Sequence, residues 1–102
     1  MERKEFIKNE IKEEPENPFN YYLLALELKK EGDMNGSITV FDQLMEQFPM
    51  YIPTYYSFTD LLIELEQDDK AKLVAKKGIE VAEIGSASKA LHELRQLWEL
   101  NF

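Results

Sequence analysis

The sequence predicts an all-α fold built from repeated pairs of helices. Three observations predict it. Long charged and aliphatic residues dominate the 102-residue chain while Gly and Pro are held to four each, a composition that suits helices. Apolar residues recur at three- and four-residue spacing through most of the chain. The third observation is that the chain repeats itself at an offset of 34 residues. That offset pairs Pro15 with Pro49, Tyr21 with Tyr55, Tyr22 with Tyr56, Leu28 with Leu62, Val40 with Val74 and Glu46 with Glu80. Near matches join them: Leu24 with Phe58, Ser37 with Ala71, Met45 with Ile79.

Residues 1–14 carry a thin stripe of Phe6, Ile7 and Ile11. By the same offset Ile7 answers Phe41 and Ile11 answers Met45, so this segment reads as a lone second helix of a pair. The first full unit covers 15–49. Asn17 is placed to cap a helix and Pro18 to occupy its first turn. Tyr21, Leu24, Ala25 and Leu28 then make one stripe. Gly32, Asp33, Asn35 and Gly36 break it. Ile38, Phe41, Leu44, Met45 and Phe48 make a second stripe, which Pro49 stops. The second unit covers 50–84. Its stripes are Tyr55, Phe58, Leu62 and Leu65, then Leu73, Val74, Ile79 and Val81, with a polar break at 67–69. Gly85 separates a last helix over 86–101, in which Ala87, Ala90, Leu91, Leu94, Leu97 and Trp98 recur behind Ser86 or Ser88 as N-cap. The expected organisation is one domain over residues 1–102, with the flanking helices covering the apolar ends of the two pairs. Trp98 is expected to pack against the second unit.

Two units of this period resemble the tetratricopeptide repeat (TPR). The family pattern of large, small and aromatic residues is met by Tyr21, Leu24, Ala25, Leu28, Ser37, Phe41 and Pro49 in the first unit. The second offers Tyr55, Phe58, Thr59, Leu62, Ala71 and Ala75, with Glu83 where the closing Pro would stand. The resemblance implies two TPR-like helix-turn-helix repeats, a fragment of an α-solenoid, flanked by capping helices. Small residues at 25, 37, 59 and 71 should mark where helices approach most closely. Overpacking there costs about 1–3 kcal/mol. Tyr21 and Tyr55 should pack inward; Tyr22 and Tyr56 lie about 100° further round and need not.

The resemblance also implies a non-enzymatic role in binding a peptide or partner helix on the face lined by the first helix of each pair. Here that face would carry Phe19, Tyr22, Leu26, Lys29 and Lys30, then Tyr56, Asp60, Ile63 and Glu64. The subfamily that grips acidic peptide C-termini uses Lys, Arg and Asn in a clamp. Phe19, Tyr22 and Tyr56 make the face aromatic and better suited to an apolar or basic peptide. Self-association into a homodimer through the same face is the alternative.

The net charge is -8. Phosphate backbones and anionic membranes repel such a surface, so neither nucleic acid nor membrane is an expected partner. Cysteine is absent, which excludes disulfides and thiolate chemistry. A charged start with no apolar run behind it points to a cytoplasmic location. His92, the only histidine, sits beside Glu93 on the polar flank of the last helix, with no partner set for general base catalysis. No phosphate-cradling glycine loop occurs. Asp33, Asn35 and Gly36 lack the spacing and the distal Glu of a calcium loop, and Asp68 and Asp69 read as solvated turn, so no metal or cofactor is expected.

Overall fold

The computed structural model describes residues 2–102. Those residues form six helices and no strand: α1 (Arg3–Glu13), α2 (Pro18–Lys30), α3 (Met34–Gln47), α4 (Pro53–Glu64), α5 (Asp68–Ile84) and α6 (Ser88–Asn101). They divide into two compact units of three helices, the first extending to Tyr51 and the second spanning Ile52–Phe102.

In the first unit α2 packs against both α1 and α3. Asn17 caps α2: its Oδ1 accepts from the Phe19 N–H at 3.1 Å, and Pro18 fills the first helical position, where its missing donor costs nothing. Asp33 caps α3, accepting from the Gly36 N–H at 2.9 Å. Ile7, Ala25, Val40, Phe41 and Leu44 are buried. The small residues sit where expected. Ala25 and Ser37 are fully buried, and the Ser37 hydroxyl donates to the Ala25 carbonyl at 2.7 Å. That bond is possible only because both side chains are small enough to let α3 lie close on α2.

In the second unit α5 packs on α4 and α6, and α6 also touches α4. Tyr55, Phe58, Leu61, Leu62, Ala71, Val74, Ala75, Val81, Ala82, Leu94 and Leu97 form the core. Gly78 marks the tightest approach. A Cβ there would lie 2.5 Å from the Tyr55 Cβ and 3.2 Å from the Leu94 Cδ1. The counterpart of Gly78 at the 34-residue offset is Leu44, itself buried. Where Leu44 fills space in the first unit, Tyr55 and Leu94 fill it in the second. This explains why the two leading tyrosines differ. Tyr55 is fully buried, whereas Tyr21 is only half-buried, its ring 5.7 Å from Phe48 and its hydroxyl donating to the Pro15 carbonyl at 3.0 Å. The expectation that both pack inward holds fully for Tyr55 alone.

Three helix ends share one geometry. After α2, α4 and α5 the chain passes through a left-handed residue: Gly32 (φ 88°), Glu66 (φ 59°) and Ser86 (φ 52°). In each case the following N–H reaches back five residues to a helical carbonyl: Asp33 to Leu28 at 2.9 Å, Gln67 to Leu62 at 2.8 Å and Ala87 to Ala82 at 2.9 Å. The pattern satisfies carbonyls that a helix end leaves orphaned.

Three local expectations are corrected. Leu73 is 70% exposed, because the buried stripe of α5 runs through Ala71, Val74, Ala75, Gly78 and Val81 and leaves position 73 on the far side. Neither Ser86 nor Ser88 caps α6. Ser86 is taken up in closing α5, and Ala87 stands at the cap with no side-chain bond. Asp68 and Asp69 are not turn but the first turn of α5, where their charge complements the helix dipole.

Candidate partner-binding faces

The residues expected to meet a partner lie on two faces, one in each unit. On α2, Phe19, Tyr22, Leu26 and Lys29 follow at intervals of three and four, so they share a side of the helix. Phe19 is 49% exposed and Leu26 36% exposed. Tyr22 is half-buried by its own unit. Its ring stands edge-on to Phe41 at 6.4 Å and to Tyr51 at 6.0 Å. Aromatic pairs in this geometry add to the area they bury. Lys29 is half-buried and Lys30 exposed at the end of the helix.

On α4, Tyr56, Asp60 and Ile63 share a side in the same way, with Tyr56 41% exposed, Asp60 exposed and Ile63 half-buried. Glu64 closes the helix and is exposed. Pro53 starts α4, where its fixed φ suits the first helical position. Tyr55 turns to the core, and Tyr56, one residue on, turns to solvent.

Sequence reasoning missed Tyr51. Burial, and next the neighbouring Tyr22, push its phenol above the ordinary tyrosine value. The residue follows Pro49 between two helices and belongs to no stripe, so periodicity carries no signal for it. Met50 beside it is 54% exposed. His92 is exposed on α6.

Helical hairpins of this period, closed on each other at Ala25 and Ser37, have close counterparts among solved structures. The crystal structure of a tetratricopeptide repeat domain protein from Salinibacter ruber is 35% identical, with a TM-score of 0.74 over 80% of this chain and 91% of that chain. The solution NMR structure of a tetratricopeptide repeat domain protein from the same organism is 36% identical, with a TM-score of 0.78 over 82% of this chain and 85% of that one. This chain belongs to the tetratricopeptide repeat family. No protein-family model matches it, and no curated protein does. As a tetratricopeptide repeat protein it departs from the family pattern where its second repeat has Ala75 for the aromatic and Glu83 for the closing Pro. The absent Pro has a visible result, since α5 runs unbroken through Glu83 to Ile84. No helix among the described residues is long and apolar enough to cross a membrane.

Proposed function

We propose that the chain is a non-enzymatic protein-interaction module that takes up an apolar or basic peptide, or a helix of a partner protein. The contacts assigned to it are Phe19, Tyr22, Leu26 and Lys29 on α2 and Tyr56, Asp60 and Ile63 on α4. Membership of the tetratricopeptide repeat family supports an interaction role in general. The observation that carries the assignment is the exposure of Phe19, Leu26 and Tyr56, large apolar side chains standing open on the first helix of each repeat. Aromatic anchors of this kind dominate many interfaces. Asp60 supplies a carboxylate for a basic residue of the peptide.

The test is selection of peptides from a random library on the immobilised protein, followed by affinity measurement. Phe19→Ala, Leu26→Ala and Tyr56→Ala remove exposed side chains and spare the Tyr22–Phe41–Tyr51 stack. The triple variant should weaken the selected peptides by roughly tenfold or more, the scale of losing one or two anchors. Unchanged affinity would sink the assignment. Light scattering over a hundredfold concentration range runs beside it. Mass that grows with concentration, and stops growing in the triple variant, replaces peptide capture with self-association through these faces.

A further inference from the structure

A cleft of about 480 Å³ opens between α5 and α6, on side chains that the proposed binding faces do not use. Ile79 of α5 and Trp98 of α6, both half-buried, supply its apolar surface. Trp98 is held in place by Phe102, whose ring stands edge-on to it at 5.1 Å. Charged side chains rim the cleft: Glu80, Glu83 and Glu99 against Lys76 and Arg95, three carboxylates to two cations. Arg95 is engaged by Glu83 at 3.5 Å, and Glu80 meets Lys77, outside the cleft, only at 4.0 Å. Glu99 has no ion pair among the described residues. α4 contributes nothing to the lining.

We propose that this cleft docks an amphipathic basic segment of a partner protein, with an apolar side chain on Ile79 and Trp98 and a Lys or Arg between Glu80 and Glu99. Charge complementarity selects that occupant. The face of an indole attracts cations, and carboxylates at the rim add to the attraction in a partly desolvated cleft. The net charge of -8 works against a second copy of the chain, which would bring the same charge to the interface. An acidic segment would meet the same repulsion. The site is independent of Tyr56 and its neighbours on α4.

Trp98 is the only tryptophan, so its fluorescence reports this cleft alone. The probe is a synthetic amphipathic helix of Leu and Lys, with a Leu and Glu helix of the same pattern as control. The Lys helix should shift the emission saturably and the Glu helix should not. Glu80 and Glu99 are exposed, so Glu80→Lys/Glu99→Lys leaves the helices intact by circular dichroism. It should weaken the Lys helix roughly tenfold or more, the scale of close charge pairs across an interface. Glu5→Lys/Glu13→Lys on α1 makes the same change in net charge and should leave binding close to that of the parent. Tyr56→Ala should do the same. The proposal is overturned by any of three results: no saturable shift, an equal response to the Glu helix, or equal weakening by both charge-reversed variants. An emission shift that comes with rising mass as the protein alone is concentrated also overturns it, in favour of a second copy.

Discussion

A hydroxyl changes helices between the two repeats. In the first it belongs to Ser37 on α3 and faces Ala25; in the second it belongs to Thr59 on α4, and Ala71 takes the Ser37 position. The exchange adds one methyl group at the contact and loses a hydrogen bond. Ser37 reaches a carbonyl at 2.7 Å, while the buried Thr59 hydroxyl has no hydrogen-bond partner among the described residues. Removing a satisfied buried hydroxyl and removing an unsatisfied one should therefore have opposite signs. Ser37→Ala should lower the stability measured by urea unfolding by about 1 kcal/mol, and Thr59→Val should raise it by roughly 0.5–1 kcal/mol. If Thr59→Val destabilises as much as Ser37→Ala, the hydroxyl is bonded. Residue by residue, the small positions were legible because a repeat displays them twice. Gly78 was not. Its counterpart is Leu44, and only the close approach of Tyr55 from α4, with Leu94 from α6 beside it, explains why a glycine must stand there.

The helix ends follow one plan with three different residues. Gly32 enters the left-handed region freely; Glu66 and Ser86 do so against the contact of their own Cβ with the backbone. Glu66 is exposed, so a substitution there changes backbone preference and little packing. Glu66→Gly should stabilise the second unit by about 1 kcal/mol, visible as a higher urea midpoint with an unchanged slope. No gain would mean that the strain is relieved locally. At this scale the sequence reading found every helix and mistook two ends. Gly32 announces a turn by its residue type. Glu66 and Ser86 do not, because neither is a usual left-handed residue, and Ser86 more readily suggests a cap for the helix that follows. Leu73 misled for a related reason. Hydrophobicity placed it in the stripe, while the helix buries Ala71, Ala75 and Gly78, whose small size weakens the periodic signal.

Across the whole molecule, family and fold were legible because a 34-residue period is a property of the entire chain. The partner-facing residues were legible only through that resemblance, since exposed side chains leave no periodic trace of what covers them. The cleft beside Trp98 lay outside both kinds of signal, because it forms between two helices whose stripes each look like ordinary core. Alkaline pH offers a global test of the packing. Burial raises the Tyr55 phenol, and burial followed by Tyr22 raises Tyr51. The hydrogen bond to Glu31, and next the charge of Glu31, raise Lys4. For each of these groups the folded state keeps a proton that the unfolded state gives up. Their stabilisation is complete below the unfolded-state values and is lost as pH rises through the folded-state ones. Urea midpoints should therefore fall above about pH 10. Tyr55→Phe should make that fall shallower, and an unchanged slope would mean that Tyr55 titrates as it does when unfolded. α1 stands apart in this balance. Ile7 is its one buried residue, worth about 1.5–3 kcal/mol, and its contacts with α2 include two surface ones, Arg3 with Glu27 at 3.0 Å and Lys4 with Glu31 at 2.8 Å. Such an edge peels away before its unit melts. Its amides should exchange with solvent through that local opening while the α2–α3 hairpin stays protected, and limited proteolysis should cut within α1 before the hairpin.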